Sequence, residues 1–141
     1  MDTQQEPKIK IRARKLSFFY EGGHQALFDN DLDIPERQIT AVIGPSGCGK
    51  STHLRTYNRI YSLHRGQRAE GEVLLDGQNI LDPKTDLLTL RRRVGMIFQK
   101  PTPFPMSVFD NVAYPLRLHF KLSRKEIEER VEAALQGASL W

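Results

Sequence analysis

Ile9, Ile11 and Ala13, then Leu16 and Phe18, alternate with Lys10, Arg12, Arg14 and Ser17. A period of two marks a half-exposed strand. The pattern ends at Phe19-Tyr20 and meets the turn residues Gly22-Gly23. A second short strand is predicted from Ala26 to Ile34, stopped by Pro35. Ile39-Thr40-Ala41-Val42-Ile43 is short and uncharged, as a central strand buried on both faces would be. It runs into Gly44-Pro45-Ser46-Gly47-Cys48-Gly49, after which Leu54, Tyr57 and Tyr61 recur at helical spacing. Strand, glycine loop and helix are therefore expected in that order.

Further along, Val73-Leu74-Leu75, Asp76-Gly77 and Gln78-Asn79-Ile80 predict a hairpin, because Asp-Gly favours the tight primed turn. Val94 to Phe98 reads as another apolar strand. Pro101, Pro103 and Pro105 then forbid regular structure and predict an exposed loop. Ser107 can cap a helix starting near Val108, with Asp110 suited to its positive end. Pro115 is expected to kink or shorten that helix. Ser123 and Glu126 form a capping box ahead of Ile127, Val131, Ala134 and Leu135, and this last helix should close at Gly137. No internal repeat or low-complexity tract interrupts the sequence.

The chain has 141 residues, enough for one domain or part of a larger one. Its 39% hydrophobic and 27% charged content excludes a disordered polymer. No stretch of 18 apolar residues exists, so a spanning helix is excluded. The polar start, Met1 to Lys10, lacks the apolar segment of a secretory signal. The single cysteine, Cys48, excludes an internal disulfide framework and a Cys-based zinc site. These features point to the cytoplasm. The net charge of +4 suits phosphate-bearing ligands or anionic surfaces without identifying one. Its distribution says more. No acidic residue lies between Glu36 and Glu70, where Arg37, Lys50, Arg55, Arg59, Arg65 and Arg68 fall, and Arg91-Arg92-Arg93 forms a second cluster. Solvated faces account for such arginines as well as an anion site does.

Residues 44–51 match G-x-x-x-x-G-K-[ST] at every fixed position. With glycine at about 7% of positions, such a match arises by chance in about 0.5% of chains this long. The predicted strand before it and helix after it remove most of that chance. The glycines let backbone N–H groups point inward and let a phosphate approach closely. The helix start adds positive potential. Lys50 can reach the β- and γ-phosphates, the Ser51 hydroxyl can ligate Mg²⁺, and the N–H and hydroxyl of Thr52 can meet the α-phosphate. The competing reading, a glycine turn that happens to precede a lysine, leaves that context unexplained. Gly44, Pro45, Ser46, Gly47, Cys48, Gly49, Lys50, Ser51 and Thr52 are thus the expected nucleotide loop. Cys48 reads as a small residue whose backbone matters. His24, His53, His64 and His119 lack metal-ligand spacing, which favours solvated or packing roles. By themselves, Tyr20 reads as a strand-end aromatic and Gln99 as a loop residue.

The segments GPSGCGKST, LRTYNRI, GEVLLDGQNI, LRRRVGMIFQKPTPFPMSVFDNVAYPLRL and VEAALQGASLW resemble the ATP-binding subunits of bacterial phosphate-specific ABC importers. The likeness runs from about Ile9 to Trp141. GPSGCGKST is common to the whole ABC class, whereas FQKPTPFPMSVFDNVAYPLRL is more particular to the phosphate importers. His53 and Tyr57 depart from the more apolar residues expected there, and Pro115 from an expected glycine. The resemblance implies an α/β fold: an incomplete P-loop NTPase core of the ABC ATPase type, with antiparallel β elements at the N-terminus and the start of a helical subdomain. Residues 1–141 would form the N-terminal part of one ATP-binding domain. Its parts would be a nucleotide-binding core over about 9–98, a Q-loop over about 99–107, and the beginning of the helical subdomain over about 108–141.

The resemblance further implies that Tyr20 stacks on the adenine ring, and that Gln99 is the Q-loop glutamine contacting Mg²⁺ and the attacking water. Lys50 and Gln99 would take the catalytic roles, and Ser51 and Gln99 would be the metal ligands. The implied cofactors are ATP and Mg²⁺. The implied partners are a second ATP-binding subunit in a homodimer, two transmembrane permease subunits, and indirectly a periplasmic phosphate-binding protein, with no nucleic acid. Such a subunit sits peripherally on the cytoplasmic face of the inner membrane. The family's LSGGQ signature, its Walker B strand with Asp and Glu, and its switch histidine do not occur in these residues. The expectation is therefore an N-terminal fragment of an ATP-hydrolysing phosphate importer subunit, inactive alone. Alternatives are an ABC ATPase for another anion or a polar amino acid, and a non-hydrolysing nucleotide-binding fragment.

Overall fold

In the computed structural model, which describes residues 7–141, the chain divides into two compact units, with the division between Met96 and Ile97. The first is built on a four-stranded antiparallel sheet in the order β2-β1-β3-β4. Its strands are β1 (Ile9–Phe19), β2 (Gln25–Pro35), β3 (Arg68–Leu75) and β4 (Gln78–Asn79). The expected alternation holds at the start of β1 and then slips. Lys15 adopts φ 47, and the register shifts between Ala13 and Leu16 on the β2 side. Leu16, Ser17 and Phe18 are consequently all buried. Gly71 of β3 faces this bulge so closely that a Cβ would lie 2.3 Å from the Lys15 carbonyl oxygen. The Asp76-Gly77 turn forms as expected, with φ 50 and 81, both positive as a type I′ turn requires.

Two short helices, α1 (Lys50–Thr56) and α2 (Leu87–Arg93), complete this unit. The core joins Leu16, Phe18, Leu27, Val73, Leu75 and Ile80 from the sheet region to Tyr57, Tyr61 and Leu90. The helical spacing of Leu54, Tyr57 and Tyr61 is only partly realised. Helix α1 ends at Thr56, Arg59 turns left-handed at φ 52, and Tyr61 lies in a 3-10 turn over Ile60–Leu63. Both tyrosines are buried, but Leu54 faces outward, because the inward stripe of α1 is Thr52, His53 and Thr56.

Four of the clustered arginines serve the fold. Arg59 donates to the carbonyls of Ile80 (3.1 Å) and Asp82 (2.9 Å). Arg91 donates to the Arg59 carbonyl (3.0 Å) and the Ser62 hydroxyl (3.0 Å). Arg93 pairs with Asp76 and Arg68 with Glu70.

Two expected strands are absent. Residues 39–43 and 94–98 have no strand structure; Ile39, Ile43 and Ile97 are 101%, 90% and 100% exposed. A strand buried on both faces needs hydrogen-bonded neighbours and two covering layers, and the described sheet, β2-β1-β3-β4, extends to neither segment.

In the second unit, α3 (Val108–His119) and α4 (Arg124–Gly137) pack through Ala113, Val131 and Leu135, flanked by Phe109, Leu116 and Ile127. Ser107 caps α3, accepting from the Asp110 N–H at 3.0 Å, and Ser123 with Glu126 forms the expected capping box. The helix continues through Pro115 to His119 instead of stopping there. Helix α4 ends at Gly137 as expected, yet the left-handed residue is Ser139 at φ 56. The Leu140 N–H then closes the end on the Leu135 carbonyl at 2.8 Å.

Candidate functional site

The loop of residues 44–49 is irregular and leads directly into α1. Gly47 and Gly49 have φ +80 and +99, conformations that side chains rarely adopt. At Gly49 a Cβ would lie 2.7 Å from Leu27 Cδ2 and 3.2 Å from the Ala26 carbonyl oxygen. The absent side chain thus lets the loop lie directly on β2. The Lys50 ammonium turns back onto the loop, donating to the carbonyls of Gly44 (2.8 Å) and Pro45 (2.7 Å), with Cys48 Sγ at 3.6 Å. It thereby holds a positive charge beside the glycines.

The loop borders a cleft of about 700 Å³. It is lined by Ser46, Gly47, Cys48, Gly49, Lys50, Ser51 and Thr52 together with Tyr20, His24, Gln25, Ala26 and Phe28. Of the expected site residues, the fold therefore brings Tyr20 together with residues 46–52. Gly44 and Pro45 contribute through the carbonyls that hold Lys50. Gln99 belongs to the second unit, exposed in the loop ahead of α3.

Tyr20 directly follows β1, and the turn over Glu21–Gly23 brings His24 beside it. The two rings are nearly parallel (19°) with centroids 6.4 Å apart, while Phe18 meets Tyr20 edge-on at 5.1 Å. The Tyr20 hydroxyl lies 2.7 Å from Thr52 Oγ1. Thr52 itself is buried. None of the described lining residues is a carboxylate.

Behind the cleft, His53 and Tyr57 are buried side by side. His53 Nδ1 and the Tyr57 hydroxyl share a hydrogen bond of 2.9 Å. Burial pushes the His53 imidazole below its ordinary range and the Tyr57 phenol well above its own.

His24 and Phe28 were not expected at the site. Phe28, 65% exposed on β2, offered only its place within the predicted second strand. His24 offered only its position after a glycine turn.

A protein-family model described as "ABC transporter" matches residues 27–141. Among solved structures, the chain is similar to cbiO1 from Clostridium perfringens, described as part of the ABC transporter complex cbiONQ. The identity is 30% with a TM-score of 0.74, over 92% of this chain and 50% of that one. It is also similar to a bacterial Atm1-family ABC exporter with ATP bound, at 27% identity and a TM-score of 0.71. That match covers 99% of this chain and 23% of the exporter chain. The chain therefore spans about half the length of the first of these proteins and less of the second.

Proposed function

Since this chain belongs to the ABC transporter family and has part of the ABC-type P-loop ATPase fold, α/β with an antiparallel N-terminal sheet, we propose that it binds ATP as the energy-coupling subunit of an importer of inorganic phosphate. One observation carries the nucleotide reading. A glycine loop with a lysine ammonium folded into it shares a cleft of about 700 Å³ with an aromatic side chain. Loop N–H groups and Lys50 would meet the phosphates, and Tyr20 would offer its ring to adenine. The Atm1-family exporter, which has ATP bound, supports that choice of nucleotide.

Mg²⁺ fits the donor chemistry in part. The Ser51 hydroxyl on the cleft is a hard oxygen ligand, and Mg²⁺ in nucleotide sites takes few protein oxygens beside phosphate and water. When bound, the ion would supply charge neutralisation for the phosphates. Ser51 would hold it, Lys50 would face the terminal phosphates, and Gln99 would be a further polar contact to ion and water.

The proposed partners are a second ATP-binding subunit in a homodimer, two transmembrane permease subunits, and indirectly a periplasmic phosphate-binding protein. That cbiO1 is part of an ABC transporter complex supports association with permeases. A peripheral position on the cytoplasmic face of the inner membrane follows from that partnership; among the described residues no helix is long and apolar enough to cross a membrane. The cargo reading rests on FQKPTPFPMSVFDNVAYPLRL and its likeness to phosphate importers.

Calorimetry with Mg-ATP on wild type and Lys50→Ala tests the nucleotide site. A charge-assisted contact of this kind supports a loss of roughly tenfold or more in affinity. Equal heats from two equally folded proteins would remove Lys50 from the site. For the cargo, disrupting the gene that encodes this sequence should abolish uptake of labelled phosphate in the cell. Unchanged phosphate uptake with loss of uptake of a different anion would overturn phosphate.

A further inference from the structure

The 2.7 Å contact between the Tyr20 hydroxyl and Thr52 Oγ1 joins residues 32 positions apart, one just after β1 and one on the first turn of α1. Resting on the reading of this cleft as a nucleotide site, we propose that Tyr20 is a positioning residue for the phosphates: its hydroxyl donates to Thr52 Oγ1 and thereby turns the Thr52 proton toward the bound anion. This role belongs to the hydroxyl and is separate from any stacking by the ring.

The argument is one of proton supply. A threonine hydroxyl has one proton and two lone pairs. Were Thr52 to donate to Tyr20, its oxygen would offer only lone pairs to the cleft and repel a phosphate oxygen. The phenol is far more acidic than an aliphatic alcohol and is the better donor, so the pair favours the arrangement that leaves the Thr52 proton available. Thr52 is only 7% exposed, so water has little room to take the place of Tyr20. The tyrosine itself is packed edge-on by Phe18 and lies nearly parallel to the His24 ring, which restricts where its oxygen sits. One hydrogen bond then ties the aromatic Tyr20 to the first turn of α1.

Inorganic tripolyphosphate with Mg²⁺ is the deciding probe, because it has no base to stack. Its affinity is measured by calorimetry on wild type, Tyr20→Phe, Tyr20→Ala, Thr52→Val, and Tyr20→Phe combined with Thr52→Val. Tyr20→Phe should weaken binding about fivefold, the scale of one lost hydrogen bond, and Tyr20→Ala by the same factor. In the Thr52→Val background, Tyr20→Phe should cost nothing further. If Tyr20→Phe binds like wild type, or its loss persists undiminished beside Thr52→Val, the positioning role is overturned while the nucleotide site stands. A role in packing alone would leave Tyr20→Phe normal and Tyr20→Ala weak, and it too would overturn the proposal. Folded wild type that binds neither tripolyphosphate nor Mg-ATP would overturn the nucleotide reading and this inference together.

Discussion

His53 and Tyr57 lie one helical turn apart and share a hydrogen bond of 2.9 Å, with ring centroids 5.4 Å apart, inside the first unit. Each residue alone is an odd choice for a position facing a core. Together they satisfy each other, since i and i+4 side chains meet on a helix. Tyr57→Phe should strand the ring nitrogen of His53 in the interior and cost about 1–3 kcal/mol of stability. Urea denaturation at neutral pH measures it, and an unchanged midpoint would show that water reaches the pair.

The same pair makes stability depend on pH. Burial holds the folded-state pKa of His53 below its ordinary value of 6.5, so the unfolded chain binds the proton more readily. Stability from this group is complete above about pH 6.5 and declines as pH falls from there toward the lowered folded value. Asp33, held low chiefly by its hydrogen bond with Arg14, and Asp76, held low chiefly by Lys10, act elsewhere. Their contributions are lost only as pH falls below the ordinary carboxylate value of 3.8. Melting temperatures between pH 7.5 and 5 should therefore fall in wild type and flatten in His53→Phe. A parallel decline in both would assign the effect to other groups.

Gly49→Ala should be more damaging than Gly44→Ala. At Gly49 the new methyl meets Leu27 and the Ala26 carbonyl while the backbone is at φ +99, a strain on the order of 1–3 kcal/mol. At Gly44 the close neighbour is Cys48 Sγ at 2.9 Å, a side-chain atom that can rotate away. Thermal melts should rank Gly49→Ala lowest, and its loop, pushed off β2, should bind Mg-ATP least. An equal ranking would mean that the loop does not rest on β2.

Much of this was legible in the sequence because the signals were local. Asp76-Gly77 dictates its turn through φ preferences, and Ser107, Ser123 and Glu126 dictate their caps through hydrogen bonds only three residues apart. The glycine loop is likewise a contiguous string. What failed depended on distant partners. Ile39–Ile43 is apolar enough for a buried strand, but composition cannot supply the neighbouring strands that burial needs. The bulge at Lys15 also hides from pattern reading, since the glycine that leaves room for it, Gly71, lies on another strand. At the cleft, His24 and Phe28 gave no motif, because they enter through the path of the turn and β2. The Tyr20 contact with Thr52 spans too much sequence for spacing to reveal.

Exposed apolar side chains at 39–43 should govern the solution behaviour of this 141-residue chain. Ile39 and Ile43 are open to solvent with Val42 between them, and such patches promote association. The chain should bind a hydrophobic dye and form larger species as concentration rises. Ile39→Lys with Ile43→Lys should reduce both effects without lowering the melting temperature, since neither side chain packs in the core. A dye-silent, monodisperse wild type would contradict this.

The last expectation is that the 141-residue chain binds Mg-ATP without turning it over. Phosphoryl transfer to water needs a positioned nucleophile and charge stabilisation that grows in the transition state. Lys50 and Ser51 bring a charge and a hydroxyl to the cleft, yet none of the described residues lining it is a carboxylate able to orient or activate water. Glu70 and Glu72 do not fill that role. Both are exposed on β3, and Glu70 is occupied by Arg68 at 2.8 Å. Gln99 can hold a water by hydrogen bonding, but an amide is no base. Phosphate release in a coupled assay should therefore equal the rate without protein, even where calorimetry shows the site filled. Adding Lys50→Ala makes the assay decisive, because a contaminating ATPase would be indifferent to that change. Turnover that disappears with Lys50 would mean that this chain supplies its own catalytic base.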